Sequence, residues 1–238
     1  MTNPSPDGAP KAADDRGVRN LVQRVLAAAV LIPLALGAAY AGSWLWTGLV
    51  TIVSVGLFIE WRGIVGQRPG WISIGLVYAL AALAASVLVR RDSEWGFAAL
   101  IFILLVVWLT DIGGYFAGRG IGGPKLWPRV SPKKTWAGAI GGTVLSIAVA
   151  VGFAQAGIGK LVPLVMLAVV LTVLSQLGDL FESAVKRRFG VKDSGQIIPG
   201  HGGLLDRLDG YVFAVVAAAA IGLLRGGADG VGHGLMVW

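Results

Sequence analysis

Long apolar runs separated by short polar breaks set the pattern of this chain. Runs at 22–41, 44–59, 71–89, 96–116, 136–156, 161–178 and 209–224 reach, or nearly reach, the roughly 20 residues that a bilayer core requires. The pattern predicts an all-α, polytopic integral membrane protein with about seven transmembrane helices, six to nine being the range. A re-entrant or broken extra helix fits best around Asp111 to Gly123. Residues 1–20 are rich in Pro, Asp, Ala and Gly, lack apolar periodicity, and read as a disordered cytosolic tail. The apolar run after Arg24 continues into a full span, unlike a cleavable secretory signal. Residues 21–238 then form a single membrane-embedded domain.

Composition supports that reading: 55% of the 238 residues are hydrophobic and 14% charged, against about 25% charged in soluble domains. Cysteine is absent, which excludes disulfides and thiolate metal sites. The 36 glycines suit close helix packing in lipid. A net charge of +7 would suggest nucleic acid in a soluble protein, but here its distribution points to topology instead, and no nucleic-acid partner is expected. With the N-terminus inside, the inner segments hold 16 Lys and Arg and the outer segments hold Arg90, Arg91, Lys160 and Arg225, a positive-inside bias that gives N-in, C-out. Glu60, Asp111, Asp179, Glu182, Asp193, Asp206 and Asp209 fall at the inner boundary, so the working face is expected on the cytoplasmic side of the cell inner membrane. Eight of the tryptophans, Trp44 and Trp136 among them, mostly lie near span ends, as an interfacial belt requires.

Chemistry concentrates in two polar islands. Gln176 to Gly210 packs five acids, five bases and a histidine between two apolar runs. Continued as helix, Gln176, Asp179, Glu182, Ser183 and Lys186 share one face, and Asp206 and Asp209, three apart, project to one side where the next run begins. Gathered carboxylates suit a hard divalent cation; the alternative is a set of ion pairs that neutralises a loop. His201, flanked by Pro199, Gly200, Gly202 and Gly203, suits a tight turn or anion-binding nest, although a lone histidine is more often a loop hydrogen-bonder. The second island, Asp111 to Gly142, reaches Ser131, Lys133, Lys134 and Thr135 just before a span. Ser131 or Thr135 can cap that helix, and the lysines with free backbone N–H groups make a phosphate site. GGPKLW lacks the ending of a Walker loop. Without other context, paired lysines at an inner boundary are more often topology signals or anionic-lipid contacts.

The string SAVKRRFGVKDSGQIIPGHGGLLDRLDG closely resembles the C-terminal signature of the phosphatidate cytidylyltransferases, or CDP-diacylglycerol synthases. QLGDLFES, DIGGYFAGR and SPKKTWAGAIGG also look like motifs of that family in its order, and the resemblance runs from about Leu21 to Leu224. It implies an integral membrane enzyme that joins CTP to phosphatidic acid, yielding CDP-diacylglycerol and pyrophosphate for phospholipid synthesis, with Mg2+ required. By that similarity Asp179, Asp206 and Asp209 hold the metal, in a centre that leaves room for a second, monovalent ion such as K+. Lys133 joins them as a catalytic residue. Ser131, Lys134, Thr135, Lys186, Arg187, Lys192, His201, Gly202, Gly203 and Arg207 bind the phosphates of CTP or lipid. The resemblance is also compatible with a homodimer. Departures are Ala137 where the family often has glutamate, Gly114 where alanine is common and Gly210 where serine often follows the final aspartate. The chain is also short for the family. Two rivals stand beside this reading: a CTP-dependent enzyme acting on an isoprenoid lipid, and an ion-coupled transporter, against which the one-sided charge and lack of a repeat argue.

Overall fold

A computed structural model of the chain describes residues 29–195, 197 and 202–238. The expected tail at 1–20 and His201 lie outside the described residues. Helix α1 (Ala29–Ala41) is followed by α2 (Ser43–Val65), α3 (Pro69–Arg91) and α4 (Gly96–Gly120). A hairpin of β1 (Lys125–Trp127) and β2 (Ser131–Thr135) leads into α5 (Trp136–Gln155), α6 (Leu161–Arg188), α7 (Leu205–Gly226) and the short α8 (Val231–Met236). Among the described residues six helices, α2 to α7, are long and apolar enough to cross a membrane. The chain is an all-α polytopic membrane protein, as its hydropathy pattern predicts.

The differences lie at the polar islands. α4 runs unbroken through Asp111, Gly113 and Gly114 to Gly120, so no broken helix forms there. α6 extends ten residues past the end of its apolar run to Arg188, carrying the Asp179 to Lys186 face as regular helix. SPKKT, which hydropathy leaves as a loop, is strand β2, paired antiparallel with β1 in the register Lys125 to Thr135 and Trp127 to Ser131. Thr135 then caps α5, its hydroxyl accepting the Gly138 N–H at 3.1 Å, as a threonine at that position should.

Packing follows from small residues. α4 and α5 meet along a glycine seam: a Cβ on Gly142 would lie 2.6 Å from the Thr110 carbonyl oxygen, and one on Gly138 2.8 Å from that of Gly114. Such contact lets backbones approach where no larger side chain fits. The main core joins residues such as Phe102, Ile103, Leu171 and Val215 of α4, α6 and α7. A second cluster surrounds the fully buried Trp61 of α2, with Val185 of α6 and Leu205 and Val212 of α7. At the opposite end of the bundle, buried Asp92 accepts the N–H groups of Glu94 at 3.0 Å and Trp95 at 2.9 Å. It also accepts that of His233 at 2.7 Å, tying the start of α4 to α8.

Candidate active site

Where α4, β2, α5 and α6 converge, the helices leave a cavity of about 500 Å³. Asp111, Tyr115 and Arg119 enter it from α4, at spacings of four that set them on one face. Lys133, Lys134 and Thr135 come from the hairpin and its cap, and Gln176 and Asp179 from α6. The polar face expected on α6 is therefore real. Asp179 Oδ2 lies 2.5 Å from Lys134 Nζ, both side chains about 30% exposed, and Ser183 donates to Asp179 Oδ1 at 3.4 Å. At the cavity wall, Thr110 Oγ1 lies 2.8 Å from Ser146 Oγ and 3.1 Å from Thr172 Oγ1, a buried hydroxyl cluster joining three helices.

A second polar network stands between α2, α6 and α7. Lys186 Nζ bridges Glu182 Oε2 at 2.8 Å and Asp206 Oδ1 at 2.5 Å, largely out of solvent. Asp206 Oδ2 accepts the Ser194 N–H at 3.1 Å and the Ser194 hydroxyl at 2.9 Å. Buried Glu60 of α2 accepts the Leu205 N–H at 2.8 Å. The two regions meet at the α6–α7 crossing, where Gly178 lies against the Asp209 carbonyl oxygen and no side chain would fit. There the charge of Asp179 reaches both Asp111 and Asp209, with Lys134 acting on the same acids. The Asp209 carboxylate also accepts the Gly210 N–H at 2.7 Å.

Of the residues singled out in the sequence, Lys133, Lys134, Thr135 and Asp179 line one cavity. Ser131 sits at the far end of β2 opposite Trp127, outside that wall. Lys186 is committed to Glu182 and Asp206. Exposed Arg187 donates to the Val191 carbonyl at 3.5 Å, and Lys192 is exposed on the loop after α6. Gly202 adopts a left-handed φ of +85°, which favours glycine, while buried Gly203 packs on Ser194, Asp206 and Glu60. Arg207 is exposed on the first turn of α7, and its charge acts on Asp111. Asp111, Arg119 and Gln176 of the cavity, and Glu60 of the second network, were missed as site residues. Glu60 had one signal, a carboxylate in an apolar span.

Asp179, Asp206 and Asp209 are oxygen donors of the type that a hard divalent cation takes. Among the described residues, however, no three acidic or histidine side chains converge as a ligand set. Asp179 is turned to Lys134, Asp206 to Lys186 and Ser194, and Asp209 to the Gly210 N–H.

A family model described as the cytidylyltransferase family matches residues 65–224. A phosphatidate cytidylyltransferase of Brucella suis biovar 1 (strain 1330) is 48% identical over 182 residues, 75% of this chain and 63% of that protein. One of Bacillus subtilis (strain 168) is 40% identical over 152 residues, 63% of this chain and 56% of that protein. One of Staphylococcus saprophyticus is 48% identical over 148 residues, 61% of this chain and 53% of that protein. The chain thus spans a little over half to nearly two thirds of the length of these relatives.

Proposed function

The chain belongs to the cytidylyltransferase family, and on that premise we propose that it transfers the cytidylyl group of CTP to phosphatidic acid, giving CDP-diacylglycerol and pyrophosphate. The observation that carries this reading is the cavity itself. It gathers Lys133, Lys134 and Arg119 with Asp111 and Asp179 among helices apolar enough to cross a membrane. That is the combination a triphosphate and a lipid phosphate need in common. The relatives' name, phosphatidate cytidylyltransferase, gives the substrate pair.

A lipid phosphate oxygen attacks the α-phosphorus of CTP in line; the new P–O bond forms as the bond to the β-phosphate oxygen breaks, and pyrophosphate leaves. Both partners are anionic, so the work is alignment and charge neutralisation. A phosphate monoester is largely ionised near neutral pH, and no dedicated base is required. Lys133 and Lys134 take phosphate oxygens, with Arg119 on the same cavity, while the Thr135 cap joins the lysine-bearing strand β2 to the start of α5. By the family resemblance Asp179, Asp206 and Asp209 would hold Mg2+, which would supply Lewis-acid neutralisation of the triphosphate. The Lys and Arg bias supports a site on the cytoplasmic face of the inner membrane, the side that supplies CTP.

The test is direct. Purified protein in detergent with labelled CTP, Mg2+ and phosphatidic acid should yield a lipid-soluble cytidine product and pyrophosphate. Product only with an isoprenyl phosphate acceptor would move the substrate to the isoprenoid class. Solute uptake by vesicles without nucleotide, and no product from either acceptor, would overturn the reading in favour of a transporter.

A further inference from the structure

Helix α7 carries Asp206 and Asp209, yet it begins without a cap of its own. The residue before it is Leu204, which offers no side-chain acceptor. The first N–H groups of a helix need partners from elsewhere, and here the partner comes from another helix. Glu60, on α2 and 4% exposed, accepts the Leu205 N–H with Oε2 at 2.8 Å. The same oxygen lies 3.1 Å from the Ser194 hydroxyl, which is also 2.9 Å from Asp206 Oδ2. One carboxylate thus meets both ends of the segment between α6 and α7. The backbone is shaped around it: a Cβ on Gly203 would lie 2.9 Å from Glu60 Oε2, and one on Gly195 would lie 2.6 Å from Oε1. Glu60 itself is held by its neighbour Trp61, fully buried and donating its indole N–H to the Trp71 carbonyl at 2.7 Å.

A carboxylate at membrane depth costs several kcal/mol unless something requires it, and a negative charge at a helix N-terminus is favourable. We propose that Glu60 is a positioning residue that caps α7 from α2 and, through Ser194, fixes the rotation of its first turn, which carries Asp206 and Asp209, the acids that the proposed function assigns to the reaction. Glu60 touches no substrate in this arrangement. Its effect passes through the Leu205 N–H and the Ser194 hydroxyl. A glutamine can reproduce both contacts, because its carbonyl oxygen in the place of Oε2 accepts from the Leu205 N–H and from the Ser194 hydroxyl, with its amide in the place of Oε1. An alanine can reproduce neither.

The inference rests on the cytidylyl-transfer reading for its kinetic arm only. With the purified full chain, Glu60→Ala should lower kcat roughly tenfold or more while the KM for CTP stays within about twofold, because alignment rather than binding is lost. Glu60→Gln should recover kcat to within about threefold of the parent, since both contacts survive. Independently of activity, hydrogen exchange of peptides covering 190–195 and 202–208 should accelerate in Glu60→Ala and not in Glu60→Gln, with α4 peptides unchanged. Parental kcat and protection in Glu60→Ala would overturn the proposal, as would a Glu60→Gln as impaired as the alanine variant. If Glu60→Ala fails to fold, Glu60→Asp, too short to span the same gap, takes its place with both readouts. A parent without cytidylyl transfer refutes the function, and the exchange arm then decides the cap alone.

Discussion

Asp179 and Lys134 make a 2.5 Å ion pair at the cavity wall, both about one-third exposed, and a pair so placed contributes little to stability. Changing either therefore tests chemistry rather than folding. Asp179→Asn should cut turnover by about 10²-fold or more, the scale of lost electrostatic stabilisation, with the melting temperature in detergent nearly unmoved; near-parental cytidylyl transfer would remove Asp179 from the proposed metal site. Lys133, exposed and making no hydrogen bond or ion pair within the described protein, is free to meet substrate. Lys133→Ala should raise the KM for CTP more than it lowers kcat, and an unchanged KM would return that lysine to a topological role. Lys186 is different. It lies between Glu182 and Asp206 with 11% of its side chain exposed, so Lys186→Met would leave two carboxylates facing each other without a cation. Breaking a buried pair in this way costs about 3–5 kcal/mol. The expected outcome is a lowered unfolding transition in detergent, checked by the temperature dependence of tryptophan emission. A variant of parental stability with a raised KM for CTP would instead restore the phosphate-binding role that the family resemblance implies.

Among the elements, the cavity owes its width to the α4–α5 seam. Gly113, Gly138, Gly141 and Gly142 let the two backbones touch, and that contact sets where Asp111 stands relative to Lys134. Gly142→Val should force the helices apart against the Thr110 carbonyl, costing about 1–3 kcal/mol as overpacking does, and should lower both melting temperature and turnover. Gly48→Ala, where an added methyl meets nothing within 4 Å, should be neutral or stabilising, since alanine favours helix over glycine; equal damage in both would show that the seam has no special role. These elements differed in how readable they were. The six spans follow from hydropathy because lipid leaves backbone groups no partner but the helix itself. The polar face of α6 followed from spacings of three and four. The β1–β2 hairpin did not, because a five-residue strand holding a proline and two lysines looks like loop until Lys125 and Thr135 are seen paired. Nor did Glu60, whose partners Ser194 and Leu205 lie 134 and 145 residues away along the chain; periodicity records only what is near in sequence.

For the whole molecule, the site divides into a part legible in local sequence and a part set by tertiary contact. SPKKT and QLGDLFES each announce their chemistry, but only the packing of α5 on α6 brings Lys134 to Asp179. Charge adds a constraint on orientation. From Ile112 to Gly178 there is no acid, and the bases fall into one dense group, Arg119 to Lys134, and one isolated residue, Lys160, at the other end of α5. Because α5 is 20 residues long, about 30 Å at the rise of an α-helix, these two groups stand on opposite sides of a bilayer core. Basic residues near span ends are retained on the cytoplasmic side, so the hairpin with its four bases, and Arg119 at the end of α4, should lie inside and the turn before Lys160 outside. The absence of cysteine makes this measurable without background. Arg129→Cys in the β1–β2 turn should react with a membrane-impermeant maleimide only after cells are permeabilised, and Ala156→Cys should react in intact cells. Neither position lines the cavity, so cytidylyl transfer serves as a check that the labelled proteins are folded. The reverse pattern would put the cavity on the side without CTP, and would count against the proposed reaction as much as against the proposed topology.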